Sequence, residues 1–310
     1  MKILYSLTSL ANPRTGIGNY TQHLIDGMLA HPDITDVAGI QGTAALSRAD
    51  LAGLNADTLF APTTFFARVK KRIRPLLRSL PGAYRCRLLI QAWFSKPLRI
   101  RFASAGFIYH ETNFIPGFYS GKLVISAHDL SHIRYPEYHP KERVNYLNRE
   151  LPKALKRSDK IIAGSEFSRQ ELLACFDINP DKVVTVLDGV DKEFMPRQAE
   201  ETQSILDKYN LNYAQYILSV CTLEPRKNLS RLLQAFSLLP AELRRSYPMV
   251  LAGGKGWNNQ QVLNLAKPLL DAGELIITGY VPQSDLPSLY SGAKIFAYPS
   301  LYEGFGLPVL

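Results

Sequence analysis

Short apolar runs alternate along this chain with stretches in which apolar residues recur every three or four positions. The first pattern suits buried β-strands and the second suits amphipathic helices. The runs predict strands at Lys2–Leu7, Leu123–Ala127, Lys160–Ala163, Val183–Leu187, Tyr216–Val220, Met249–Ala252, Leu275–Thr278 and Ile295–Tyr298. Leu229, Leu232, Leu233 and Phe236 form a helical stripe that Asn228 is placed to cap, and a further helix begins near Asn19. Val144, Leu147, Leu151 and Leu155 mark another stripe, which Pro152 is expected to kink or break. Strands alternating with helices predict an α/β fold with doubly wound parallel sheets.

Length and composition refine this picture. At 310 residues, with 46% hydrophobic and 20% charged residues, the chain has material for about two globular domains. The charged stretch with weak periodicity from Asp188 to about Asn212 is read as the link between them. It predicts a first domain over residues 1–190 and a second over 191–310, each Rossmann-like. No window approaches the ~18–20 apolar residues of a membrane span, and the first residues read as a strand, not a leader. Three scattered cysteines, Cys86, Cys175 and Cys221, imply a reducing, cytoplasmic setting.

Four strings carry candidate chemistry. Gly16 and Gly18 follow the first strand and open a helix, where bared amides attract an anion; a plain strand-to-helix turn explains them equally well. His128 and Asp129 end the strand Leu123–Ala127, at the edge where α/β sheets place ligands. A structural hydrogen-bonding role for His128 has equal standing, and His132 and His139 are expected in loops. Glu224-Pro225-Arg226-Lys227-Asn228 sets two cations before a helix, a favourable place for a diphosphate. Glu303-Gly304-Phe305-Gly306 pairs a carboxylate with exposed amides, suited to sugar hydroxyls. Gly253-Gly254-Lys255-Gly256 lacks the Gly-Lys-Ser/Thr ending of a phosphate loop and reads as a turn that admits close backbone approach. No histidine pair has metal-ligand spacing, so no metal is assigned.

In this order, the strings resemble family 4 of the retaining glycosyltransferases, whose GT-B fold sets two Rossmann-like domains facing a cleft. The resemblance runs from Gly16 through Ala163-Gly164-Ser165-Glu166-Phe167-Ser168 to the final residue. The string His128–Pro140 resembles bacterial mannosyltransferases of lipopolysaccharide and related glycans. The resemblance implies transfer of a hexose, mannose from GDP-mannose, to a lipid-linked or glycan acceptor, with UDP-sugars as the runner-up donors. It implies no cofactor and no metal requirement. Gly16 would lie against the diphosphate and His128 against the donor sugar. Arg226 and Lys227 would hold the leaving diphosphate, unless Arg226 faces solvent. Glu303 and the amides near Phe305 and Gly306 would grip the hexose, with Gly279–Val281 beside the base. The family's second glutamate follows the first by eight positions, one place beyond Leu310, so the second domain is expected to be incomplete and its activity reduced.

Charge is the last feature. Between Asp57 and Glu111 there is no acidic residue, while residues 68–101 hold eleven Lys and Arg; removing those eleven from the net +9 leaves −2 for the rest. Arg68, Lys70, Lys71, Arg72, Arg74 and Arg78 lead this stretch, followed by Arg85, Arg87, Lys96, Arg99 and Arg101 among leucines, Trp93 and Phe94. Such a segment suits an anionic membrane surface and a peripheral location; a solvated basic face is the plainer account. Two alternatives stand beside the transferase reading: a catalytically inactive partner of the same fold, and a basic nucleic-acid-binding module. Against the latter, no recognised nucleic-acid module is present, and none is expected as a partner.

Overall fold

The computed structural model of the protein describes residues 1–10, 15–53 and 95–310. Two compact units emerge from its packing: Met1–His128 with Arg149–Val186, and Asp129–Asn148 with Leu187–Leu310. The division near residue 186 lies close to the expected 190, but the segment Asp129–Asn148 groups with the second unit.

The first unit is built on a seven-stranded sheet ordered β3-β2-β1-β4-β5-β6-β7. Its strands are β1 (Lys2–Ser6), β2 (Asp36–Gln41), β3 (Ala44–Leu46), β4 (Ile108–Glu111), β5 (Leu123–Ala127), β6 (Lys160–Ala163) and β7 (Val183–Thr185). All pair in parallel except β3, which runs antiparallel to β2 at the edge. Parallel neighbours need crossovers, supplied for β1 and β2 by the helix Gly16–Ala30. Ile3, Tyr5, Ile25, Val37 and Leu51 form one buried cluster of this unit.

The strands β2, β3 and β4 escape the hydrophobic pattern. In β4, His110 and Glu111 are both buried, so polar letters occupy strand positions that the pattern reserves for apolar ones. The expected ends at Leu187 and Tyr298 shorten to Thr185 and Phe296.

The second unit carries a four-stranded parallel sheet ordered β10-β9-β8-β11, from β8 (Ile217–Val220), β9 (Met249–Ala252), β10 (Leu275–Gly279) and β11 (Ile295–Phe296). Alternation along β9 shows why it is doubly wound. Met249 and Leu251 join Leu233, Phe236 and Ala266, on the helices Leu229–Ser237 and Gln260–Asp271. Val250 and Ala252 join Leu206 and Leu289, on the helices Ala199–Lys208 and Leu286–Gly292. A period of two thus sends alternate side chains to helices on opposite faces. The stretch read as a bare link from Asp188 to Asn212 contributes one of those helices, entered by a bond from the Gln198 amide to Glu201 at 2.7 Å.

Three local expectations are corrected. Pro152 does not break its helix, which runs unbroken over Lys141–Arg157 with Val144, Leu147, Leu151 and Leu155 buried. A proline deprives the carbonyl four residues back of its partner; here that residue, Asn148, is exposed, and water can serve it. Asn228 stands at the start of its helix but does not cap it: its φ of 58° is left-handed, and its amide donates to the Pro299 carbonyl instead, at 3.1 Å. His132 lies in a short helix, Ser131–Arg134, and is buried.

Candidate active site

Strands β8 and β11 are parallel neighbours, so the loops leaving their carboxyl ends lie side by side. This is the edge where α/β sheets gather ligands. The loop after β8 turns through Pro225–Lys227, and the loop after β11 carries Tyr298 to Gly306. Backbone bonds stitch the two together: the Leu301 amide donates to the Arg226 carbonyl at 3.0 Å.

Glu303 is the centre of the cluster that results. Its Oε1 accepts from Lys227 Nζ at 2.6 Å, from the Tyr298 hydroxyl at 2.9 Å, and from the Ser300 hydroxyl. Its Oε2 accepts from Arg226 Nη1 at 3.1 Å. Burial alone would raise this carboxyl, but Lys227 and Arg226 outweigh it and hold the group below its ordinary range. Lys227 also donates to the Tyr298 hydroxyl at 3.0 Å. Burial first, then the Glu303 charge, push that phenol far up, so it remains protonated and able to donate.

Arg226 does not face solvent. Only 9% exposed, it donates to Glu224 at 2.8 Å and to the Tyr302 carbonyl at 2.6 Å, besides Glu303, and Asp129 lies 4.0 Å away. Burial opposes its charge, yet Asp129, Glu303 and Glu224 together raise its pKa above the ordinary value. A planar fork so engaged fixes the loops in register. It is a brace between loops, whereas Lys227 makes its side-chain bonds to Glu303 and Tyr298 alone among the described residues. The Tyr302 hydroxyl accepts from the Leu130 amide at 3.2 Å, tying in the segment that begins at Asp129. Glu224 and Asp129 lay within the quoted strings, and Tyr298, Ser300 and Tyr302 stand just before Glu303, but nothing local signalled their roles.

Other expected contacts fall out as follows. The Gly253 loop is explained by its own chain: a Cβ on Gly253 would sit 1.9 Å from the Cys221 carbonyl oxygen, and one on Gly256 2.4 Å from that of Leu223. Cys221 itself is pushed up to about 11 by burial, which makes it a poor nucleophile. The carbonyl of Gly279 accepts from the Gly253 amide at 2.8 Å, while Val281 is buried in the core. Phe305 is half-buried, and Gly306, at φ 90°, enters a single turn, Leu307–Val309.

In the first unit, the helix Gly16–Ala30 begins at Gly16, which is exposed, and Gly18 is buried. His128 is half-buried, its Nε2 2.8 Å from the Thr112 carbonyl and its ring edge-on to Tyr20 and Phe114. Nearby, Ser126 bonds both the Tyr20 hydroxyl and His110 Nε2 at 2.9 Å, a polar group at the β4 and β5 ends that the sequence did not signal. Arg68, Lys70, Lys71, Arg72, Arg74 and Arg78 lie outside the described residues. Arg99, counted among the surface charges, is buried, with its guanidinium 4.7 Å from the centre of the Tyr109 ring. No helix among the described residues is long and apolar enough to cross a membrane.

A phosphate- or sugar-sized ligand would meet, at this edge, one lysine, one carboxylate and a phenol held in mutual reach. Residues 15–194 match Glycosyltransferase Family 4, and residues 203–310 match Glycosyl transferases group 1. The chain is 35% identical, over its whole length and 79% of the relative, to O-antigen chain mannosyltransferase B of Escherichia coli. It is also 40% identical over 61% of its length to the serotype-specific mannosyltransferase WbdA of Escherichia coli, covering 24% of that protein. Its fold is similar to that of WaaG, a glycosyltransferase involved in lipopolysaccharide biosynthesis, with a TM-score of 0.65 at 14% identity over 99% of this chain and 77% of WaaG. Sucrose-phosphate synthase from Thermosynechococcus elongatus gives 0.62 at 18% identity, over 99% and 77%. The protein is thus a glycosyltransferase of the GT-B fold. Within that class it belongs to glycosyltransferase family 4.

Proposed function

We propose that this enzyme transfers mannose from GDP-mannose, with retention of configuration, onto a glycan or lipid-linked acceptor of a cell-surface polysaccharide. The observation that carries the reading is the Lys227–Glu303 pair at 2.6 Å, set beside Arg226 at the carboxyl edge of β8 and β11. Similarity over the full chain to an O-antigen mannosyltransferase supports mannose as the sugar. In this reading Lys227 stabilises the departing diphosphate electrostatically, a contribution that elsewhere reaches roughly 3 kcal/mol per well-placed donor. Glu303 holds hydroxyls of the hexose. In this reading Lys227 supplies the positive charge at the diphosphate, and the reaction needs no divalent metal. The basic stretch that begins at Arg68 brings the enzyme to the anionic inner face of the membrane, where a lipid-linked acceptor resides.

Calorimetric titration with GDP, GDP-mannose, UDP and UDP-glucose, without added metal, tests the donor. Selective binding of the guanine nucleotides, weakened by Lys227→Ala, is expected. Selective binding of the uridine nucleotides would overturn GDP-mannose as the donor.

A further inference from the structure

The chain leaving β4 turns through a backbone conformation that its residues would not choose. Phe114 has a φ of 56°, in the left-handed region, where a bulky side chain is an outlier. The Ile115 amide donates to the Asn113 carbonyl, two residues back, at 2.7 Å. Phe114 is therefore the middle of a γ-turn of the rare, strained hand. Such strain persists only where the surroundings over-determine it, and it gathers at functional sites.

The surroundings here pin successive peptide units at both ends. The Thr112 carbonyl and the Asn113 amide belong to one planar peptide. Its N–H donates to Oε1 of the buried Glu111 at 3.2 Å, and its carbonyl lies 2.8 Å from Nε2 of His128. In the next peptide, the Phe114 amide donates to the Ser126 carbonyl at 3.2 Å. The Thr112 hydroxyl lies 2.7 Å from that of Thr21, on the helix Gly16–Ala30. The Phe114 ring is buried and edge-on to the His128 ring, with centroids 5.9 Å apart. Tyr20 is also edge-on to that ring, at 5.0 Å, and its hydroxyl bonds Ser126.

These restraints converge on one imidazole. A carbonyl oxygen only accepts, so Nε2 of His128 carries a proton, and the neutral ring leaves Nδ1 as an acceptor. Nδ1 has no hydrogen-bond partner among the described residues. The sealed, unpartnered polar atoms of those residues include both nitrogens of His139 and neither of His128, so Nδ1 is open to solvent. His128 directly follows β5, at the carboxyl edge where α/β sheets collect ligands.

We propose that Phe114 is a positioning residue for His128. The turn Asn113–Ile115 aims the Thr112 carbonyl at the imidazole and fixes its tautomer and plane, so that Nδ1 accepts a hydrogen bond from a hydroxyl of a saccharide substrate. Glu111 serves the same device by holding the N–H end of the Thr112–Asn113 peptide. An acceptor oriented before the substrate arrives avoids the ordering cost during reaction. The saccharide rests on the transferase reading; the tautomer and its dependence on Phe114 do not.

Long-range 1H–15N spectra of histidine-labelled protein in alkaline buffer test the device without turnover. His128→Gln identifies the resonance among the six histidines. The wild type should show one His128 tautomer, protonated at Nε2, and Phe114→Leu should show both. Ile115→Pro removes the donor of the turn and drives Phe114 out of the left-handed region. It should also show both tautomers, and it replaces Phe114→Leu if that variant does not fold. Protonation at Nδ1 in the wild type, or an unchanged single tautomer in the variants, overturns the proposal. A double-mutant cycle then reads function, with the amplitude of thermal unfolding counting the folded protein. Phe114→Leu should lower kcat for transfer from GDP-mannose at least tenfold in the wild type and less than twofold in His128→Gln. Equal losses in both backgrounds mean that Phe114 serves the fold alone, and overturn the positioning role. A wild type that does not turn over GDP-mannose overturns the donor reading, and the spectra alone then decide the device.

Discussion

Lys227 Nζ lies 2.6 Å from Oε1 of Glu303, seventy-six positions further along the chain, and both are largely shielded from solvent. A diphosphate arriving at Lys227 must therefore compete with a carboxylate already in place. Hydrogen bonds to charged groups contribute about 1.5–3 kcal/mol, so Lys227→Ala should weaken GDP binding by roughly tenfold to a hundredfold. Glu303→Gln keeps the shape and removes the competing charge. It should tighten GDP binding several-fold while lowering transfer at least a hundredfold, as titration and turnover would show. An equal loss of GDP affinity in both variants would mean that Glu303 assists the diphosphate and does not compete with it.

Arg226 is predicted to matter for stability as much as for rate. Its guanidinium holds Glu224, Glu303 and the Tyr302 carbonyl at once, and a lysine cannot reach all three from one point charge. Breaking a buried pair typically costs about 3–5 kcal/mol. Arg226→Lys should thus lower the denaturation midpoint clearly, with Lys227→Ala lowering it less. Urea unfolding of the two variants side by side measures the difference.

Gly253 and its neighbour Gly254 make a controlled pair. Alanine at 253 would place a Cβ 1.9 Å from the Cys221 carbonyl oxygen, while at 254 nothing lies within 4 Å. Backbone cannot yield as a flexible side chain can, so Gly253→Ala should cost more than about 3 kcal/mol. Gly254→Ala should be close to neutral. Thermal unfolding of both decides whether the loop is dictated by packing, because a ligand-driven requirement would leave the stability of Gly253→Ala intact.

Adjacent residues of β4 give a pH prediction of opposing signs. Burial, with His128 nearby, lowers His110 to about 4, so its contribution to stability is complete above the unfolded value of 6.5 and is lost as pH falls toward 4. Burial raises Glu111 to about 7, against bonds from Tyr109 and the charge of Arg99. Its neutral form favours the fold below the unfolded value of 4.5, and that advantage disappears as pH rises toward 7. Each effect is worth about 3 kcal/mol across its window, so between pH 4.5 and 6.5 the two slopes nearly cancel. Glu111→Gln should leave stability rising with pH in this interval, and His110→Asn should leave it falling. Urea midpoints at pH 4.5, 5.5 and 6.5 would reveal the slopes.

The membrane proposal has its own test. Reversing Arg68, Lys70, Lys71 and Arg72 to glutamate should abolish sedimentation with vesicles containing anionic lipid and spare binding of GDP. Unchanged sedimentation would remove the proposal.

The amino-acid order alone determined the class of fold and supplied the strings from which the candidate site is assembled. Period-two and period-3.6 burial are local properties, so parallel strands, their helices and the strings around Arg226 and Glu303 were legible without a structure. Three strands were not: β4 buries His110 and Glu111 where the pattern expects apolar letters, β2 interrupts its apolar run with Asp36, Gly39 and Gln41, and β3 is only three residues at the edge of the sheet. Only the tertiary structure decided which strings meet. The adjacency of β8 and β11 brings Glu303 onto Lys227 and Arg226, and no local period encodes the order of strands in a sheet. It likewise decided that Asp129–Asn148 joins the second unit and that His139 is buried without a partner. Such relationships depend on which distant surfaces exclude water together, and that is a property of the folded chain as a whole.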